Sequence, residues 1–171
     1  MQGYVQVYTG DGKGKTTASL GLSLRAAGAG LRVYIAQFIK SGDYSEIKAL
    51  ERFDDQITIR QFGLGRFIKG KPAPEDIEAG AEGIATIRQI FVEKQYDVVI
   101  LEEGNTAAAC GVFPVETLLE LIEQRPESME LVLTGRGADP RVIAAADLVT
   151  EMKAVKHYYE QGVVARVGIE K

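Results

Sequence analysis

Cysteine and histidine are nearly missing from this chain. Cys110 is the only cysteine and His157 the only histidine among 171 residues. A single thiol excludes an internal disulfide and any cysteine-cluster metal site. One histidine leaves few candidates for base-assisted nucleophilic catalysis, nothing resembles an acyl-transfer triad, and a lone histidine is more often structural than catalytic. An excess of positive charge is also lacking, with 20 Lys and Arg against 24 Asp and Glu. The formal net charge of -4 argues against general nucleic-acid binding, which shows as a basic balance. No apolar run reaches the roughly 18 residues that a membrane helix needs. The opening MQGYVQVYTG lacks the charged region and apolar core of a secretory signal. These absences predict a cytoplasmic protein with neither membrane nor nucleic acid as partner.

What is present is the composition of one globular domain, with hydrophobic residues at 46% and charged residues at 26%. Strand and helix signals alternate along residues 1–171, with no repeat, linker or low-complexity tract. Tyr4 to Tyr8, Arg32 to Phe38 and Ile57 to Phe62 read as strands. Asp97 to Leu101 is a continuous apolar run, the mark of a strand covered on both faces. Leu131 to Leu133 is another buried strand, and Leu148-Val149 and Val163 to Ile169 suggest the last ones. Helices are expected from about Lys15 to Ala27, Ser45 to Phe53, Pro74 to Gln95, Pro114 to Gln124 and Asp139-Pro140 to Ala146. The long one buries Ile77, Ile84, Ile87 and Phe91 on one face. The fold class is α/β, a mainly parallel sheet with helices on both faces.

Between the first strand and helix stands TGDGKGKTT, Thr9 to Thr17. It is close to the phosphate-loop pattern G-x-x-x-x-G-K-[ST], but counting back from Gly14-Lys15-Thr16 puts Thr9 where the first glycine belongs, and Gly10 comes one residue late. Gly10, Gly12 and Gly14 let the backbone approach an anion closely, so that its N–H groups form a nest at a helix N-terminus. Lys15 can reach phosphate oxygens, Lys13 adds a second charge, and the Thr16 hydroxyl can join a Mg²⁺ shell. A phosphate loop usually works with an acid at the end of a nearby buried strand. Here that strand runs into Glu102-Glu103, whose side chains diverge, so one of them faces the metal. A ligand-free glycine turn and a pair of solvated strand-end glutamates are the plain alternatives, and several acids could serve a kinase as base.

Several stretches together resemble one family, the P-loop type of ATP:corrinoid adenosyltransferase. TGDGKGKTTASLG with Arg25-Ala26 and Gly28-Ala29-Gly30 is similar to its nucleotide loop and first helix. Ala36 to Gly42 (AQFIKSG) resembles its second-strand motif, and Leu133 to Arg136 its TGR motif. Ala146 to Met152 (ADLVTEM), Val155-Lys156-His157 and Gly162 to Glu170 resemble its C-terminal signature. The resemblance implies a P-loop NTPase, RecA-like architecture and one reaction. Cobalt(I) of a reduced corrinoid attacks C5′ of ATP, takes the 5′-deoxyadenosyl group and releases triphosphate. It further implies that Gly10, Asp11, Gly12, Lys13, Gly14, Lys15, Thr16 and Thr17 carry the triphosphate, with Lys13, Lys15 and Arg136 as the catalytic cations. Thr16 and Glu103 would hold Mg²⁺, with Mn²⁺ as a substitute, and Gln37, Phe38, Lys40 and Phe67 would line the corrinoid side. An electron donor such as a flavoprotein and a homodimer complete the expectation. The nucleotide of this family lies reversed along the loop, and the short Gly10–Gly14 spacing is offered as the cause.

Three departures stand out. The family's usual LDEIN is Leu101-Glu102-Glu103-Gly104-Asn105 here. The loop after the third strand has no tryptophan, leaving Phe67 as its aromatic candidate beside Arg66, Lys69 and Lys71. The helix that many relatives carry before the first strand is not seen in this sequence. Two other readings therefore stay open: a P-loop kinase or ATPase acting on the γ-phosphate, and a nucleotide- or corrinoid-binding relative without catalysis.

Overall fold

In the computed structural model, residues 2–66 and 68–170 are described. Six strands form one sheet: β1 (Val5–Thr9), β2 (Val33–Phe38), β3 (Ile57–Phe62), β4 (Val98–Glu102), β5 (Glu130–Thr134) and β6 (Leu148–Glu151). Their order is β3-β2-β4-β5-β1-β6, and every pairing is parallel. The helices are α1 (Lys15–Gly28), α2 (Ser45–Leu50), α3 (Pro74–Glu93), α4 (Gly104–Ala109), α5 (Val115–Gln124) and α6 (Pro140–Ala145). Parallel strands need crossovers, and the helices supply them on both sheet faces. Because all strands run the same way, their C-terminal ends gather at one edge, where open α/β sheets bind ligands.

Strand parity divides the core. Val33, Ile35, Val98, Ile100 and Val132 point to one face and pack with Ala26, Ala27 and Leu50 from α1 and α2. Tyr34, Ala36, Phe38, Val99, Leu101, Leu131 and Leu133 point to the other, against Ile84, Ile87 and Phe91 of α3 and Leu118 and Leu121 of α5. All five β4 residues are buried, which accounts for the unbroken apolar run in the sequence. β5 lies between β4 and β1, so the loop strand and the acid-bearing strand are not neighbours. The carboxylate must therefore reach the loop from two strands away.

Two expectations fail. Residues 163–169 form no strand; Val164 and Val167 are exposed, and the chain runs through turns. Gly162 and Gly168 have φ of 77° and 76°, outside the extended region, and side-chain bonds from Arg166 to Glu170 curl the segment on itself. Ile77 is 46% exposed rather than buried. It shares the azimuth of Ile84, but it sits in the first turn of α3, before the packed stretch that begins at Gly80. The short α4 had no clear signal in the sequence.

Candidate active site

The loop 10–14 leaves the end of β1 and runs beneath the segment that follows β6. The Met152 N–H donates to Thr9 O (2.8 Å), and the Gly12 N–H donates to Met152 O (2.7 Å). The approach explains two glycines. A Cβ at Gly12 would lie 2.7 Å from Met152 O, and one at Gly10, whose φ is 94°, would lie 2.5 Å from the same oxygen. The loop is thus built against Met152 and Lys153, part of the C-terminal stretch that the sequence singled out.

Lys15 opens α1 and turns back over the loop. Its ammonium donates to Gly10 O at 2.6 Å and Gly12 O at 2.8 Å. Burial holds it below the ordinary lysine range, with repulsion from Arg136 adding to the effect and Glu103 and Asp11 opposing it. Arg136 is exposed and its charge acts on Lys15, while its backbone N–H donates to Thr106 Oγ1 at 3.0 Å. Asp11 and Thr17 are exposed on the loop and the first turn.

The acid that meets Thr16 is Glu102. Thr16 Oγ1 donates to Glu102 Oε1 at 2.5 Å, and the carboxylate is fully buried. Parity explains it: Glu102 follows Val98 and Ile100 onto the face that α1 covers, where Thr16 begins that helix. Glu103, the expected metal ligand, has a left-handed φ of 58° and turns out of the strand. Its carboxylate accepts from Thr106 Oγ1 at 2.5 Å, and its N–H donates to Thr134 Oγ1 at 3.1 Å. Glu103 therefore ties β4, α4 and the β5 loop together, while Glu102 stands at the phosphate loop. The unbroken apolar run carries no signal that separates them; the face that α1 covers does.

The same parity corrects two corrinoid assignments. Gln37 lies opposite Glu102 in the β2–β4 register, is fully buried, and donates its amide to Glu102 Oε2. Its own Oε1 accepts from Gln61 at 3.1 Å. Gln37 positions the carboxylate and does not line an open surface. Phe38 points to the opposite face, with its ring centroid 5.3 Å from that of Phe113 and 6.0 Å from that of Phe62. It is a core side chain. Phe67 lies outside the described residues.

Lys40 also differs from expectation. Ile39 has a left-handed φ of 66°, which reverses the chain after β2. The Lys40 ammonium then reaches Glu102 Oε1 at 2.6 Å and Thr16 Oγ1 at 3.4 Å. Burial disfavours its charge, but attraction from Glu102, helped by Glu103 and Glu46, outweighs this and holds it above the ordinary lysine range. A cation thus already touches both oxygens that would hold a metal. A hydroxyl and a carboxylate are the oxygen donors that a hard cation such as Mg²⁺ takes. Among the described residues no cluster of three or more His, Cys, Asp or Glu side chains exists. A metal ion here would draw its remaining ligands from phosphates and water.

Lys13 faces the other way. Its ammonium donates to Glu170 Oε1 at 3.0 Å, Ile169 O at 2.8 Å and Tyr158 OH at 3.3 Å. Tyr158 OH also donates to Glu170, as do the Arg166 N–H groups. Beside this knot lies a concavity of about 170 Å³ lined by Lys13, Lys153, Lys156 and His157. His157 Nδ1 accepts from the Tyr159 N–H at 3.2 Å, capping a helical turn, which is a structural use of the lone histidine.

The family model described as ATP:corrinoid adenosyltransferase BtuR/CobO/CobP matches residues 1–170. The chain belongs to the ATP:corrinoid adenosyltransferase family. It is 34% identical over 170 residues to a corrinoid adenosyltransferase of Pseudomonas aeruginosa, covering 99% of this chain and 84% of that one. It is 31% identical to those of Escherichia coli K12 and Salmonella typhimurium, covering 99% of this chain and 86% of each relative. Within this corrinoid adenosyltransferase, the loop, TGR and C-terminal stretches that carried the resemblance meet at one sheet edge. No helix among the described residues is long and apolar enough to cross a membrane.

Proposed function

We propose that the chain transfers the 5′-deoxyadenosyl group of ATP to the cobalt of a cobalt(I) corrinoid and releases triphosphate. The observation that carries this reading is the match over residues 1–170 to a family defined by that activity, in a chain whose phosphate loop is packed under its C-terminal stretch. The cobalt nucleophile attacks C5′, the C5′–O bond breaks, and its electron pair leaves on the triphosphate. The corrinoid supplies both electrons of the new Co–C bond, so the protein needs no nucleophile of its own. That agrees with a chain holding one histidine, itself used as a cap, and one cysteine.

The protein's tasks are then orientation and neutralisation. The loop amides and Lys15 bind the triphosphate, with Lys13 and Arg136 at its flanks. Thr16 and Glu102 are the residues to hold Mg²⁺, or Mn²⁺ in its place; such an ion, when bound, neutralises charge on the leaving group. Gln37 keeps the Glu102 carboxylate aimed. The basic concavity beside Lys13 suits the distal phosphates. A cytoplasmic homodimer, fed with cobalt(I) by an electron donor such as a flavoprotein, belongs to the same reading and rests on the family.

Family membership disfavours a γ-phosphate kinase or ATPase. The departure at Gly104 does not support loss of catalysis: Gly104 opens α4, and Asn105 beside it still donates to Leu133 O at 3.3 Å. The test is anaerobic incubation with ATP, Mg²⁺ and chemically reduced cobalamin. A light-sensitive adenosylated product is expected. Nucleotide binding without that product would overturn the reading.

A further inference from the structure

Lys40 occupies the position where the metal reading needs a divalent cation. Its ammonium contacts Thr16 Oγ1 and Glu102 Oε1, the two oxygens assigned to the ion. Glu102 is fully buried, its second oxygen is held by Gln37, and a buried carboxylate without a counter-charge is unfavourable. The ammonium supplies that charge, and it can leave. Lys40 lies just past a left-handed turn at Ile39, outside the sheet, and its side chain retains partial exposure. Tyr44 offers an alternative berth: its ring centroid is already 5.4 Å from the ammonium.

We propose that Lys40 is a tethered placeholder cation, holding the Thr16–Glu102 pair in the nucleotide-free protein and yielding to Mg²⁺ when the metal–nucleotide complex binds. The inference rests on the nucleotide and metal reading above and goes beyond it in one respect: the empty site is kept neutral and closed to free metal. Lys40 is a positioning residue in this scheme. Competition follows directly. If the oxygens are available in only about 1–10% of nucleotide-free molecules, apparent affinity for free metal is weakened by about 10- to 100-fold. Nucleotide relieves the competition, because the triphosphate brings further ligands to the metal and gives the displaced ammonium a new anionic partner.

The test is a titration of the nucleotide-free protein with Mn²⁺, read by the loss of the free-ion EPR signal, in the wild type and in Lys40→Met. The variant is expected to bind Mn²⁺ at least about 10-fold more tightly than the wild type, and the gap should narrow when ATP is present. Equal or weaker Mn²⁺ binding by Lys40→Met would overturn the proposal. A second measurement needs no variant: the Lys40 Cε NMR resonance of the wild type, followed with a non-reactive ATP analogue. It should shift when Mg²⁺ is added to the analogue complex and stay unmoved by Mg²⁺ alone. A resonance indifferent to Mg²⁺ in the analogue complex also contradicts the proposal. Neither arm uses a corrinoid, so failure of adenosyl transfer leaves both readable. Absence of Mn²⁺ binding in every state would sink the metal site itself.

Discussion

Two adjacent glutamates divide the work at the end of β4. Glu102 points to α1 and meets Thr16, whereas Glu103 turns away and braces Thr106 and the β5 loop. Replacing them separately should therefore give different defects. Glu102→Gln should lower kcat by roughly 10²-fold or more, the scale for removing a preorganised electrostatic contact at the reacting centre. Its loss should be steepest at low Mg²⁺. Glu103→Gln keeps the Thr16 pair and should lower kcat less, with the defect insensitive to Mg²⁺. Equal Mg²⁺ dependence in the two variants would contradict the assignment. Lys15→Ala should abolish triphosphate release, because no other described ammonium lies across Gly10 O and Gly12 O. Near-full activity in a steady-state assay would refute its role.

At the scale of elements, the segment 152–170 is bound to the phosphate loop at both ends. Met152 accepts from Gly12, and Glu170 holds Lys13. Glu170 is held far below the usual carboxylate range by Arg166 first, then Tyr158 and the Arg166 backbone, with Lys13 contributing. Its folded-state pKa is depressed, so the contact contributes fully above the ordinary glutamate value of about 4.3 and is lost as pH falls through the lower folded value. The tail should thus stay docked through mildly acidic pH. A Glu170 Cδ resonance titrating near the ordinary value would contradict this, and Glu170→Gln should free Lys13 and raise the mobility of 158–170. Much of the element pattern was legible in the sequence: β2 and β5 read as strands, β4 as a continuous apolar run, and Asp139-Pro140 capped α6 as its residues required. The 163–169 segment was not: Val163, Ala165, Val167 and Ile169 alternate like a strand, while its order comes from the local Arg166–Glu170 pair and from Lys13, distant in sequence, donating to Ile169 O. Glu102 was half legible: the sequence offered two candidate acids, and only knowing which face α1 covers chooses between them.

The whole molecule is a two-faced sheet that delivers its chemistry to one edge. Both core clusters must stay packed to keep β4 and β1 in register across the intervening β5. Leu118→Ala, at a fully buried α5 residue of the core, should cost about 2–5 kcal/mol of stability, measured by denaturant unfolding, while leaving the KM for ATP of the folded fraction unchanged. A shift in KM without loss of stability would mean that the core and the site are coupled in some other way. The central claim is that this edge treats triphosphate as a leaving group and not as a phosphate donor. Phosphorus NMR of the reaction with ATP and reduced cobalamin tests it most directly. One triphosphate released per adenosylated corrinoid is expected; ADP and orthophosphate as the products would contradict it.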